Sequence, residues 1–289
     1  MRPGELLSLV KFGHSVFALP FALQGAWLAS GGVPAPRVLA WVVVCAVAAR
    51  TAAMAFNRLV DRDVDARNPR TRAREIPAGR VSAPAAAGLV VAAGGVFVAA
   101  AWALNPLCGR LSLPVLAVLL GYSLVKRVSF AAHVVLGLSL AIAPLGAWLA
   151  VRGGFAGDLA PVLWLAGGVL AWVAGFDLIY ACQDASFDRS EGLHSIPARF
   201  GIAPALGLSS ALHVLALSCF VMQGTSAGLG VAWWAGVVLA GSLLVYEHRI
   251  VAPDDLSRVN TAFFTVNGWI GVGLFAGLAI DLALTPGAG

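Results

Sequence analysis

Charge is scarce in this sequence. Aspartate, glutamate, lysine and arginine make up 11% of its 289 residues, against about 25% in a soluble globular domain. That shortage excludes an ordinary cytosolic fold and a disordered chain, which depends on charge and low hydrophobicity. Lysine is confined to Lys11 and Lys126. The four cysteines, Cys45, Cys108, Cys182 and Cys219, stand singly with no Cys-x2-Cys pair, which excludes a disulfide framework and a zinc site and makes them packing residues. The histidines, His14, His133, His194, His213 and His248, show no metal-ligand spacing. The ten-residue alternation of a lipid-facing barrel strand is also missing.

What is present is apolar: 60% of the residues are hydrophobic, with a mean hydropathy of +0.87. About 20 mostly apolar residues cross a membrane as a helix. The runs near 9–30, 38–56, 86–104, 111–125, 133–151, 161–182, 203–222, 228–246 and 261–284 qualify. The expected class is all-α, a polytopic bundle of about nine transmembrane helices over a single domain, 1–289. The first run contains His14 and Pro20 and is followed directly by another span, so it is expected to be retained and not cleaved as a signal peptide.

The net charge of +5 is distributed by topology and not as a nucleic-acid footprint. With the N-terminus in the cytoplasm, Arg37, Arg110 and Arg152 fall outside and Arg50 falls inside the second span. All other basic residues lie on the cytoplasmic side. Most acidic residues share that side, although orientation signals need no carboxylates. This face is therefore expected to carry the chemistry.

Two charged loops there, 57–81 and 183–200, echo one another weakly: Asp61-x3-Asp65 precedes Ile76-Pro77-Ala78, and Asp184-x3-Asp188 precedes Ile196-Pro197-Ala198. The echo predicts two half-sites facing one cavity. Asn57, Asp61 and Asp65 recur every fourth residue and share a helix face, as do Asp177, Asp184 and Asp188, with Tyr180 beside them. Mutually repelling carboxylates accommodate a divalent cation, and Mg²⁺ is usually held by one or two carboxylates plus substrate phosphates. Solvated helix ends near lipid headgroups are the plainer alternative, weakest for Asp177 within its apolar run. Asp63 falls off the motif face.

Arginines and lysines complete the pattern, because a diphosphate calls for cationic partners and arginine offers bidentate contacts. Arg74 and Lys126 are the preferred candidates among Arg67, Arg70, Arg72, Arg74, Arg80, Lys126 and Arg127. Tyr122 precedes Lys126 by one helical turn, although Tyr122, Tyr180 and Tyr246 also fit an interfacial aromatic belt. Arg50 lies two turns before Asn57, about 10 Å deeper. A guanidinium at that depth needs an anionic partner, either a protein carboxylate such as Asp177 or an acidic substrate.

These residues resemble the UbiA family of intramembrane prenyltransferases. The resemblance is carried by Asn57, Asp61 and Asp65, by Arg72-Ala-Arg-Glu-Ile-Pro-Ala-Gly-Arg80, by Tyr122, Lys126 and Arg127, and by Asp177, Tyr180, Asp184 and Asp188. The sequence is most similar to the 4-hydroxybenzoate polyprenyltransferase branch, including menaquinone relatives of the futalosine route. The stretches Lys11–Pro20 and Gly192–Arg199 resemble the latter. One departure is Arg58, where many relatives carry aspartate.

The resemblance implies transfer of a polyprenyl group from its diphosphate to an aromatic acid, 4-hydroxybenzoate or a dihydroxynaphthoate, in ubiquinone or menaquinone synthesis. It implies Mg²⁺ at Asp61, Asp65, Asp184 and Asp188, diphosphate contacts from Asn57, Arg74, Lys126, Arg127 and Tyr122, and acceptor contacts from Arg50 and Tyr180. Asp177 or Asp188 is expected to draw the phenolic proton. The lipid bilayer of the inner membrane is the expected environment, with no nucleic acid and no obligatory protein partner. A transporter is the rival reading, because intramembrane Arg50 and Asp177 with a half repeat also describe an ion pathway.

Overall fold

A computed structural model describes Leu9 and residues 18–284. Lys11 and His14 lie outside the described residues, as does most of the first half of the first apolar run. Within the described part that run forms α1 (Leu19–Ser30). Then follow α2 (Pro36–Val60), α3 (Arg62–Arg67), α4 (Ala83–Leu104), α5 (Pro106–Val125), α6 (Ala132–Arg152) and α7 (Ala160–Ala181). The chain continues through α8 (Ala185–Ser190), α9 (Ile196–Phe200), α10 (Ile202–Ser226), α11 (Val231–Ile250) and α12 (Asn267–Leu284). Among the described residues, eight helical segments are long and apolar enough to cross a membrane. The expected count of nine is met only if α1, described over 12 residues, is included.

Local sequence sets many of the boundaries. Proline occupies the first turn of α1, α2, α4, α5, α7 and α9, where its missing N–H costs nothing. Ser82, Asn105 and Ser195 cap α4, α5 and α9 by accepting from the N–H groups of Ala85, Cys108 and Ala198. Asp281 of α12 accepts from the N–H groups of Ala232 and Trp233, capping α11 from a neighbouring helix.

The long helices form a closed ring. In chain order α2 packs on α4, α4 on α5, α5 on α6, α6 on α7, α7 on α10, α10 on α11 and α11 on α12, and α12 returns to α1. Lipid supplies little hydrophobic force between helices, so close packing holds them together. A Cβ at Gly25 of α1 would sit 2.1 Å from the Pro144 carbonyl oxygen, and one at Gly137 of α6 would sit 2.4 Å from that of Leu170. A cavity of about 680 Å³ lies between α1, α2, α4, α5, α6 and α7, on one side of the bundle. Its wall runs from His133 at one end of α6 to Ala150 near the other, about 25 Å along the helix.

Candidate active site

The first aspartate motif forms where α2 passes into α3. Helical hydrogen bonds bridge the junction, from Asp61 N–H to the Asn57 carbonyl at 3.0 Å and from Asp65 N–H to the Asp61 carbonyl at 2.7 Å. Asn57, Asp61 and Asp65 therefore keep one face, and all three line the cavity. The second motif has the same construction. Asp184 joins a 3-10 turn (Cys182–Asp184) to α8. Asp61 (φ −87°, ψ 0°) and Asp184 (φ −102°, ψ 3°) occupy the same region of backbone space. The weak echo between the two loops thus has a structural counterpart, and Asp61, Asp65, Asp184 and Asp188 all line the cavity. Asp63 is exposed and lies near Arg62.

Each carboxylate has a distinct set of partners. Asp61, 2% exposed, meets Lys126 Nζ at 3.3 Å and Arg127 Nη2 at 3.1 Å, and accepts from Asn57 Nδ2 at 3.1 Å. Arg127 also donates to the Val60 carbonyl. Asp65, 4% exposed, receives both of its bonds from Arg74 Nη1, at 2.7 and 2.9 Å. Asp184 accepts from Asn68 Nδ2 at 3.0 Å and from Arg70 through Nε and Nη2. Asp188 is buried and has no cation within ion-pair distance among the described residues.

Asn68 was missed by sequence reasoning, and Arg70 was one of seven cationic candidates without being preferred. The signal available was the density of polar residues between Asp65 and Arg74. What they reach, 114 and 116 residues on, is not written in that segment. Arg70 also donates to the Tyr180 hydroxyl at 2.8 Å and lies over its ring. Burial works against the charge of Arg70, yet the hydrogen bonds and charge of Asp184 hold its pKa above the usual arginine value. Tyr180, expected to touch the acceptor, is thereby also tied to the charged end. The π-helical turn Thr261–Val266 brings Phe263 within 4.3 Å of the Tyr180 ring, centroid to centroid.

Deeper in the cavity, Arg50 and Tyr122 both line the wall. Arg50 Nε is buried without a hydrogen-bond partner among the described residues. Asp177, one possible partner, instead accepts from or donates to His133 at 2.7 Å. Arg58, 4% exposed and also lining the cavity, leaves Nε and Nη1 unpartnered, and His194 leaves Nδ1 unpartnered. Buried polar nitrogens without partners are rare and costly, about 1–3 kcal/mol each. Several of them around one cavity mark it as a receptor for an anionic, hydrogen-bond-accepting ligand. All four cysteines are free; Cys45 and Cys108 line the apolar part of the cavity.

A cavity with cations and carboxylates at its mouth and an apolar shaft through the bundle suits a molecule with a charged head and a long hydrocarbon tail. Residues 18–269 match the UbiA prenyltransferase family. This chain belongs to that family. Eight apolar helices and UbiA membership make it a multi-pass membrane protein.

Curated UbiA relatives include the 4-hydroxybenzoate octaprenyltransferase of Alkalilimnicola ehrlichii, 32% identical over 263 residues, covering 91% of this chain and 88% of that one. The enzyme of the same name from Nitrosospira multiformis is 32% identical over 90% of this chain and 88% of its own length. Among solved structures, the apo UbiA homolog from Aeropyrum pernix K1 matches with a TM-score of 0.82 at 34% identity, over 90% of this chain and 96% of that one. A UbiA homolog from Archaeoglobus fulgidus bound to DMAPP and Mg²⁺ gives a TM-score of 0.72 at 18% identity, over 97% of this chain and 100% of that one. At that identity the likeness is one of fold.

Proposed function

We propose that this UbiA protein transfers a polyprenyl group from polyprenyl diphosphate to a hydroxylated aromatic acid, 4-hydroxybenzoate or a dihydroxynaphthoate, in quinone biosynthesis. The observation that carries the proposal is the meeting of two aspartate motifs, distant in sequence, at the charged mouth of one apolar cavity. The names of the curated relatives support the acceptor class, and the A. fulgidus homolog bound to DMAPP supports the donor class. In this reading the whole chain, 1–289, acts as one prenyltransferase domain in the inner membrane, with its N-terminus and the cavity mouth on the cytoplasmic side. Family membership displaces the transporter reading of Arg50 and Asp177.

Asp61, Asp65, Asp184 and Asp188 would hold Mg²⁺. The donor set fits. Asp188 is a buried carboxylate without an ion-pair partner among the described residues, and all four carboxylates line the same cavity, although among the described residues no three His, Cys, Asp or Glu side chains are gathered closely enough to hold an ion by themselves. Two carboxylates on each side leave coordination positions for substrate phosphate, the usual arrangement for this ion. When bound, Mg²⁺ supplies positive charge that stabilises the departing diphosphate.

The chain's own groups do the rest. Lys126, Arg127 and Arg74, now paired with Asp61 and Asp65, are positioned to turn to the diphosphate oxygens, with Asn57 and Tyr122 alongside. Arg58, with two free nitrogens, adds a further guanidinium. The apolar shaft accommodates the tail and keeps water from the allylic cation. Arg50, its Nε unpartnered, anchors the acceptor carboxylate below the diphosphate, and the prenylated product leaves between helices into lipid.

The test is transfer of a labelled polyprenyl diphosphate by membranes containing the overexpressed protein, to 4-hydroxybenzoate and in parallel to a dihydroxynaphthoic acid. Transfer to one of them, abolished by EDTA, is the expected result. Transfer to neither, together with no binding of the diphosphate, overturns the proposal.

A further inference from the structure

Two cavity side chains are left over after the donor site is built. His133, the second residue of α6, is 4% exposed, and its Nδ1 lies 2.7 Å from Oδ2 of Asp177 on α7. Its Nε2 is buried and has no hydrogen-bond partner among the described residues. Both residues line the cavity. A carboxylate at one imidazole nitrogen fixes the ring and its tautomer: the proton sits on Nδ1 towards Asp177, and the lone pair is on Nε2. A base oriented by a third group, with its accepting atom unused, is the arrangement expected of a proton acceptor.

Depth points the same way. Asp177 precedes Asp184 by seven residues and Arg50 precedes Asn57 by seven, so both stand about 10 Å below their motifs. Asp177 therefore stands near the level of Arg50, where the acceptor is placed, and His133, at the start of α6, stands between that level and the donor cluster.

We infer that His133 is the general base of prenyl transfer and that Asp177 is its positioning residue; this rests on the prenyl-transfer reading above. His133 Nε2 takes the phenolic proton as the ring carbon ortho to the oxygen bonds to the allylic carbon. The allylic C–O bond breaks at the same stage, and its electron pair leaves with diphosphate. The resulting dienone loses its ring proton to the diphosphate while the imidazolium returns a proton to the oxygen, restoring the phenol and the neutral base. Asp177 and Asp188 are thereby relieved of the base role: Asp177 is engaged by His133, and Asp188 belongs to the donor cluster.

The test uses the full chain in lipid nanodiscs, with geranyl diphosphate and whichever aromatic acid the wild type accepts. His133→Gln is expected to lower kcat by about 100-fold or more while leaving the Kd for geranyl diphosphate within twofold of wild type. Added imidazole restores turnover to His133→Gly, and that rescue is lost when Asp177→Asn is added, because a free imidazole is then no longer oriented. Asp177→Asn alone lowers kcat and leaves the acceptor KM nearly unchanged. Near-normal turnover by His133→Gln, or no imidazole rescue in a His133→Gly protein that binds the donor normally, overturns the assignment of the base. Wild-type transfer is the control: its failure refutes the prenyl-transfer reading, whereas its success with a fully active His133→Gln refutes the base alone.

Discussion

Arg70 grips Asp184 with two prongs, Nε on Oδ1 at 2.9 Å and Nη2 on Oδ2. The arginine comes from the segment after the first aspartate motif and the carboxylate from the second. The pair ties the two half-sites together and holds Tyr180 in the same contact. Arg67, which donates to Glu191 at 2.9 Å, makes a second link between the same segments on the exposed side.

Arg70→Lys keeps a positive charge but cannot form the fork. We expect the donor KM to rise about 10- to 100-fold, the loss of a charged hydrogen bond of about 1.5–3 kcal/mol, with kcat changed less. Steady-state kinetics at saturating acceptor checks this; an unchanged donor KM would separate the pair from donor binding.

Asp61→Ala and Asp184→Ala are each expected to abolish transfer while leaving the protein in the membrane. Asp61 is almost fully buried beneath Lys126 and Arg127, so its removal leaves two cations unpaired. Both cations are about a third exposed, so solvent offsets much of that lost pairing, and a modestly lower thermal midpoint in detergent should accompany the loss of transfer for Asp61. Normal turnover in either variant would remove that residue from the metal site.

Arg50→Ala is expected mainly to raise the KM for the aromatic acid, because Arg50 carries a free nitrogen below the donor cluster. Competition between acceptor analogues with and without the carboxylate reads this directly. The variant should no longer distinguish them. A defect confined to diphosphate binding would reassign the residue.

Chelation of divalent ions by EDTA is expected to stop transfer, and added Mg²⁺ to restore it. Donor binding measured in the same samples should weaken in parallel, because two carboxylates per cluster hold the ion only together with phosphate. Full activity in EDTA would show that Arg58, Arg70, Arg74 and Lys126 suffice for the diphosphate.

Gly25→Ala should destabilise the α1–α6 contact, because the new methyl would meet the Pro144 backbone at 2.1 Å and neither helix backbone can yield cheaply. Overpacking of this kind costs about 1–3 kcal/mol, visible as a lower thermal midpoint in detergent. Gly88→Ala, where a Cβ meets nothing within 4 Å, serves as the control.

The sequence by itself determined the helices, their approximate limits and the four-residue spacing that puts Asn57, Asp61 and Asp65 on one face. These are local properties: an apolar run long enough to span a bilayer must satisfy its own backbone as a helix, and the period of that helix fixes which residues align. The same logic made Arg50 conspicuous, since a charge within an apolar run stands out in one dimension. Tertiary structure alone decided which groups meet. Arg70 finds Asp184 across 114 residues, and His133 finds Asp177 across 44. His133 looks unremarkable at the start of α6, and Asp177 offered Arg50 as readily as any histidine for a partner. Such pairings depend on how the helices close into a ring and at what depth each side chain enters the cavity, and no periodicity along a single helix encodes that.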